Sequence, residues 1–507
     1  MAAAAENRWM ALIGISILSF VVFIDFTIVN TILPGIQREL NASVDQLQWV
    51  MNAFFLVMTI FMVTMGRLGD IYGRRRVLYI GVIVFALASF LAGTADSPQF
   101  LIAFRFVQGI AAALTITSGA SLVTHHFPES EQNKAMAIYM SITGFGLAVG
   151  PVLGGLFLSV LSWRWAFYVN VPVVIIGFLI AWRTVQETPR QENEKVDWLG
   201  MIFLTPGMGA LVTAIMKGNN WGWDAAATLI TAAAGIVFLA GFILVERRVA
   251  FPIIDFKLFK HRHFLAAAVV AITLGGFIGV GSFMAPLYLQ TVRNELPYIA
   301  GFMLLPISGL VVIVPPLIGK LADTHGPLPF LVMGQISLAL AALVQILFIP
   351  ASPVWLVLLG LGLFGLGWGL QQATATLAAT MALPMASAGL AIGALYSLWN
   401  FGSSIGLAVA GMIFEVLDKR SLTAALARED ITLNAKDQDL VRSLLSDPSQ
   451  AHELLGKLSP GLEAKILPLF KDAFMDGYSG AMWYLFITCA IGAILVPLIA
   501  RGAKREG

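Results

Sequence analysis

About fourteen times along the chain, apolar residues persist for the roughly 20 positions that a helix needs to cross a bilayer. The runs fall at 9–33, 47–65, 77–95, 99–124, 135–161, 165–186, 197–217, 225–245, 264–290, 297–319, 328–349, 353–383, 389–417 and 478–500. In hydrocarbon every backbone N–H and C=O must be satisfied by the chain itself, which leaves helices or a closed barrel. Ten-residue strands of alternating polarity are missing, which argues against the barrel. Hydrophobic residues make up 58% of the chain and charged ones 12%, about half the charge of a soluble domain. The chain therefore reads as an all-α membrane protein that spans its membrane many times.

The first run follows Arg8, is too long for a signal-peptide core and ends at Leu33-Pro34 without a small-residue cleavage site, so it reads as a retained span. An even number of spans places both termini on one side. Loops on that side carry Arg67, Arg74, Arg75, Arg76, Arg247, Arg248, Lys257, Lys260 and Arg262. The short loops opposite hold Arg38, Arg164, Lys217 and Arg293. The positive-inside rule then makes both termini cytoplasmic. Residues 418–477 break the brevity of the loops and are expected to form a long extracytoplasmic loop between spans 13 and 14. Short amphipathic runs such as 440–445 suggest helical pieces there, divided by Pro448, Pro460 and Pro468. The net charge of +2 gives no field for nucleic acid.

An internal repeat organises the spans. Gly66-Arg67-Leu68-Gly69-Asp70-Ile71-Tyr72-Gly73 follows span 2, and Gly319-Lys320-Leu321-Ala322-Asp323-Thr324-His325-Gly326 follows span 10. Span 10 can be the second helix of a second half only if that half starts at span 9. The chain thus divides into a six-helix bundle at 9–186, two inserted linker helices at 197–245 and a six-helix bundle at 264–500. Parallel duplication of this kind builds carriers whose halves rock about a central site.

These motifs resemble the major facilitator superfamily, and within it the fourteen-helix drug:proton antiporters of the EmrB/QacA type. The likeness rests on Gly66-x-Leu68-x-Asp70-x-x-Gly73-Arg74-Arg75 after span 2 and Arg105-x-x-Gln108-Gly109 in span 4. Gly146-x-x-x-Gly150-Pro151-x-x-Gly154-Gly155 in span 5 resembles the superfamily's antiporter motif. Asp25-x-Thr27-Ile28-Val29-Asn30, Trp163-Arg164-Trp165-x-Phe167-x-x-Asn170-x-Pro172 and Phe251-Pro252-Ile253-Ile254-Asp255 resemble signatures of the fourteen-helix family. The similarity covers about residues 9 to 417. It implies the major facilitator fold, residence in the bacterial cytoplasmic (inner) membrane, and export driven by the proton gradient with no cofactor. It also leaves a place for a periplasmic adaptor and an outer-membrane channel as partners.

Asp25 is the residue most in need of explanation, because a carboxylate within a span is costly and marks function by default. It lies roughly 24 Å along a helix from Trp9. Arg105, starting from the other end of span 4, reaches a comparable depth. Burial disfavours a carboxylate and a nearby guanidinium favours it, so a movable Arg105 would switch Asp25 between holding and releasing a proton. The resemblance gives this acidic position a role in proton coupling. Asp70 and Arg74 stand four apart on one helical face, suited to a gating pair, with Gly66, Gly73, Arg75 and the repeated Asp323 completing the motif. The second copy has Leu328 where a basic residue is expected. Glycines at 146, 150, 154 and 155 beside Pro151 allow close helix approach and a bend.

Candidate cargo-facing groups are Asn52 and Phe54 on span 2, Trp368, Gln371 and Gln372 on span 12, and Tyr396, Trp399 and Asn400 on span 13. Glu415, near the end of span 13, is a further acid able to reach the pathway. Aromatic walls with few polar groups suit broad drug pockets, and tryptophan holds organic cations over its π-face. No phosphate-binding loop, metal-ligand spacing or nucleophile–base pair is present in the sequence, so an enzyme is not expected. The expectation is export of hydrophobic, cationic drugs by antiport, with drug and proton competing for Asp25. Export of an anionic or zwitterionic metabolite, siderophore or lipid is the alternative, and a non-transporting sensor or scaffold a further one.

Overall fold

The computed structural model describes residues 2–188, 196–250, 252–254, 256–381, 385–429, 431 and 462–503. Its described helices are α1 (Ala2–Leu40), α2 (Val44–Tyr72), α3 (Arg74–Gly93), α4 (Pro98–His126), α5 (Glu129–Val160), α6 (Trp165–Tyr168), α7 (Asn170–Thr184), α8 (Trp198–Trp221) and α9 (Ala226–Glu246). They continue as α10 (Arg262–Leu287), α11 (Pro297–Met303), α12 (Leu305–His325), α13 (Leu328–Ile346), α14 (Val354–Thr380), α15 (Met385–Arg428) and α16 (Leu462–Ala503). Thirteen spans among the described residues are long and apolar enough to cross a bilayer. The 29-residue α2, between the first and second of them, brings the helices to fourteen. The short α6 and α11 are first turns of spans completed by α7 and α12.

Local sequence sets the helix ends. Ser43 and Gln46 form a reciprocal capping box at the start of α2. Ser97 caps α4, with Pro98 in its first turn, where a missing N–H costs nothing. Asp197 caps α8 through Gly200 N at 2.7 Å. Both copies of the repeated motif end their helix on a glycine with positive φ, +99° at Gly73 and +75° at Gly326. A side chain there would be strained, which explains why the last glycine of the repeat is kept.

One set of contacts joins α1, α2, α3, α4, α5 and α7; another joins α10, α12, α13, α14, α15 and α16. In α1 and α10 the most apolar stretch is 78% buried, against 17% in α9. The first long helix of each half is thus central, while α9 presents Ile230, Val237 and Leu244 to lipid. The α8–α9 pair leans on α2 and α15. At the face opposite the termini the halves close on each other. Gln290 Nε2 donates to Thr31 O at 2.8 Å, Tyr298 N donates to Ser159 Oγ at 3.3 Å, and Gly155 packs on the Pro297 carbonyl.

The expected loop at 418–477 is corrected at both ends. Helix α15 continues to Arg428 and α16 begins at Leu462, with Pro468 inside it. With 44 and 42 residues, these helices are about 65 Å long, roughly twice the hydrocarbon thickness. Their charged ends are helical without being soluble in lipid, and hydropathy measures only the second property. The pieces at 440–445, Pro448 and Pro460 lie outside the described residues.

Candidate functional site

Asp25 and Arg105 are both fully buried, and Arg105 Nη1 donates to Asp25 Oδ2 at 2.5 Å. The other carboxylate oxygen accepts from Gln108 Nε2 at 3.3 Å and Asn170 Nδ2 at 3.1 Å. Arg105 also donates through Nε to Val50 O at 3.1 Å and through Nη1 to Gln108 Oε1 at 3.1 Å. Three of these groups follow from helical spacing: Arg105 and Gln108 are three apart on α4, and α1 crosses them at Asp25. The fourth, Asn170, starts α7 and donates also to Ser89 Oγ at 2.8 Å on α3. Three helices therefore meet at one carboxylate, with α3 joined to it through Ser89 and α2 through Val50 O. A buried ion pair needs such further hydrogen bonds to offset its desolvation.

Aromatic rings wall this cluster off. The Arg105 guanidinium lies over the Phe54 ring, 4.3 Å from its centroid. Phe54, Phe55 and Phe26 pack edge to face, with centroids 4.9 to 6.3 Å apart. Beyond them is a central cavity lined by Val22, Phe23, Phe26, Met58, Met62, Ile116 and Leu147 from the first half and Trp368, Tyr396, Trp399 and Asn400 from the second. Phe26 touches both the cavity and the wall. Asp25, next to it on α1, turns the other way, into the first bundle.

The cavity holds only about 20 Å³ of free space, enough for about one water molecule. Cargo of drug size needs some 300 Å³ or more, so the halves must part to admit it. Its second-half wall is an aromatic box. Trp368 and Trp399 stand edge to face at 6.2 Å, and Tyr396 tilts on Trp399 at 5.4 Å.

Of the residues singled out in the sequence, Trp368, Tyr396, Trp399 and Asn400 line the cavity. Asn52 instead faces α8, its Nδ2 on Met216 Sδ at 3.4 Å. Phe54 belongs to the wall. Gln371 is buried inside the second bundle against Gly334, and Gln372, one position on along α14, is half-buried. Glu415 pairs with Lys419 at 2.6 Å towards the far end of α15.

In the glycine-rich stretch of α5, a Cβ on Gly146 would meet Phe20 O at 2.8 Å and one on Gly154 would meet Ile28 O at 2.8 Å. Gly150 sits against Thr27 and Ile24. Small residues four apart thus seat α5 directly on the α1 backbone around Asp25. The Pro151 carbonyl packs on Gly301 of the other half, 2.5 Å from where its Cβ would stand.

In the Gly66–Gly73 motif, which forms the last turns of α2 and its glycine cap, the side chain of Asp70 lies outside the described residues, as does that of its repeat Asp323. The backbone around them shows a feature that sequence reasoning missed. The Glu187 carboxylate accepts from Arg75 N at 2.9 Å and Arg76 N at 3.2 Å, and Thr188 Oγ1 accepts from Arg74 N at 3.2 Å. The segment after α7 therefore caps α3 at the point where the motif turns. A Cβ on Gly73 would strike Glu187 at 2.6 Å.

The profile of the Major Facilitator Superfamily matches residues 15–407. The multidrug resistance protein Stp of Mycobacterium tuberculosis is 34% identical over 425 residues, 83% of this chain and 79% of that protein. The tetracenomycin C resistance and export protein of Streptomyces glaucescens is 32% identical, covering 80% of this chain and 76% of its own length. The riboflavin transporter RibZ of Clostridioides difficile is 30% identical, covering 72% and 79%. Among solved structures, a bacterial homolog of the human lysosomal transporter Spinster, inward-facing and unoccupied, superposes with a TM-score of 0.64 at 16% identity, over 98% of each chain.

Proposed function

The chain belongs to the Major Facilitator Superfamily, and from that we propose that it exports hydrophobic compounds from the bacterial cytoplasm in exchange for protons. It is a transporter and not an enzyme, as its transporter relatives indicate. Export of toxic or antibiotic compounds is supported by relatives named for multidrug resistance and for tetracenomycin C export. The proposal puts both termini and both repeated loops on the cytoplasmic side of the inner membrane.

The observation that carries the proton reading is the sealed Asp25–Arg105–Gln108–Asn170 cluster behind the cavity. A proton arriving from outside binds Asp25 and discharges its ion pair with Arg105. The guanidinium keeps Val50 O, Gln108 Oε1 and the Phe54 face as partners, so it can shift without being stranded. The ring wall then transmits that shift to the cavity. Direct competition of drug and proton for Asp25, as the sequence suggested, is replaced here by coupling through Arg105 and Phe54. Proton release to the cytoplasm resets the pair.

An anionic or zwitterionic cargo is the second reading, although the riboflavin transporter among the relatives, named for a metabolite uncharged at neutral pH, points to cargo other than cations without favouring an anion. It is weakened by Arg105, whose guanidinium is already engaged by Asp25 and so is not offered to a substrate. A cationic cargo would rest on the π-faces of Trp368 and Trp399, since no carboxylate is among the residues found to line the cavity.

The test is transport in proteoliposomes under an imposed proton gradient, comparing wild type with Asp25→Asn. The variant should lose gradient-driven transport while still binding cargo. Undiminished gradient-driven export by Asp25→Asn would overturn the mechanism.

A further inference from the structure

We infer that the cavity selects planar, uncharged aromatic compounds bearing carbonyl or phenolic oxygens, and that the indole N–H groups of Trp368 and Trp399 recognise those oxygens. The inference rests on the export reading above and specifies its cargo.

Two observations carry it. Trp368 is 2% exposed, yet its indole Nε1 has no hydrogen-bond partner among the described residues, and neither has that of Trp399. Buried donors are rarely left unmatched, because an unpaired buried donor loses its water without a replacement. Both residues line one cavity and touch each other edge to face on its second-half wall, so a single molecule seated against that wall can bring acceptors to both. Asn400 does not supply what is missing, since its Oδ1 accepts from neither indole, while its Nδ2 donates to Tyr396 O at 2.9 Å.

The second observation is the charge of the lining. The residues found around the cavity include no carboxylate, lysine or arginine. An organic cation would add positive charge where the unmet groups are donors. A ring system edged with oxygens meets that need and also offers a face to Tyr396 and Trp399. Opposite them, Met58 and Met62 are unbranched and polarisable, able to repack around rings of different outline. The selection is thus by acceptor content more than by shape.

Equilibrium binding to purified protein in nanodiscs, with no proton gradient, tests this apart from coupling. Three probes suffice: a dihydroxyanthraquinone, anthracene as its planar counterpart without oxygens, and tetraphenylphosphonium as a bulky aromatic cation. The quinone should bind tightest. Trp368→Phe and Trp399→Phe, which keep an aromatic face and remove the N–H, should each weaken quinone binding by about five- to tenfold while anthracene stays within about twofold. Retained anthracene binding shows that a variant is folded. If a variant is not folded, the indole N–H resonances of isotope-labelled wild type are read instead, and they should move with the quinone and not with anthracene. Preferential binding of the phosphonium, equal losses for all three probes, or unmoved indole resonances would overturn the inference. Gradient-driven export of the phosphonium together with no binding of the quinone would leave the export reading standing and remove only this one. Failure to bind or export any probe would remove both.

Discussion

The seat of α5 on α1 makes a prediction that can be worked from distances. Gly150 and Gly209 both lie inside long helices, so replacing either by alanine brings the same gain in helix propensity, about 1 kcal/mol at most. At Gly209 nothing lies within 4 Å of the new Cβ, and the gain stands alone. At Gly150 the Cβ lands 3.0 Å from both Ile24 O and Ile28 N, and closer still to the Thr27 hydroxyl. Backbone atoms cannot yield as a side-chain tip can, so α1 must move away. Overpacking of this kind costs about 1–3 kcal/mol. The displaced Thr27 hydroxyl also loses its bond to Leu147 O at 3.2 Å, worth about 1 kcal/mol. Gly150→Ala should therefore be destabilised by about 2 kcal/mol after the propensity gain, and Gly209→Ala should be neutral or slightly stabilised. Cys489 provides the reporter, since it is the sole cysteine and fully buried. A thiol-reactive dye labels it only as the last helix comes apart, and helical circular dichroism followed in parallel reports loss of helix over the whole chain. Equal unfolding temperatures for the two variants would refute the close seating of α5 on α1.

Two further outcomes follow from the charged and aromatic groups. Glu187→Ala should speed hydrogen exchange at the Arg75 and Arg76 amides by about tenfold, the equivalent of about 1.4 kcal/mol for the two lost carboxylate bonds; unchanged exchange would mean that Glu187 does not hold the motif turn. Phe54→Leu removes the ring beneath a fully buried guanidinium, an attraction of about 2 kcal/mol. Cargo affinity in nanodiscs should stay within about twofold while cargo-driven proton flux falls about tenfold, whereas loss of affinity with intact flux per bound cargo would place Phe54 in the cavity lining instead.

The fold was legible because lipid permits so few solutions: apolar length gave the helices, and the repeat gave their grouping. The meeting of Asp25 with Arg105 was legible for a related reason, since a fixed rise per residue turns sequence position into depth. Its other partners were within reach, because Gln108 and Asn170 both stand in motifs that the sequence displays. Their role needed the rotation of each helix about its axis, which hydropathy does not report when nearly all faces are apolar. The same missing phase put Asn52 and Phe54 among the cargo-facing candidates, although one turns to α8 and the other to Arg105. Glu187 gave no local signal at all. It acts on backbone groups more than a hundred positions earlier in the chain, and no periodicity marks such a contact. Asp418, Lys419 and Arg420 ended the hydropathy of span 13 without ending its helix.

The ring layer of Phe26, Phe54 and Phe55 has a consequence for how such a chain can diversify. Among the described residues the charged cluster and the cavity lining share no side chain, and only Phe26 belongs to both the wall and the lining. Substitutions among Met58, Met62, Ile116 or Trp399 can redraw what fits without altering the field at the ion pair. The costly assembly of three helices around one carboxylate then needs to be solved only once in a lineage, and the lining can drift through many chemistries while that solution is inherited intact.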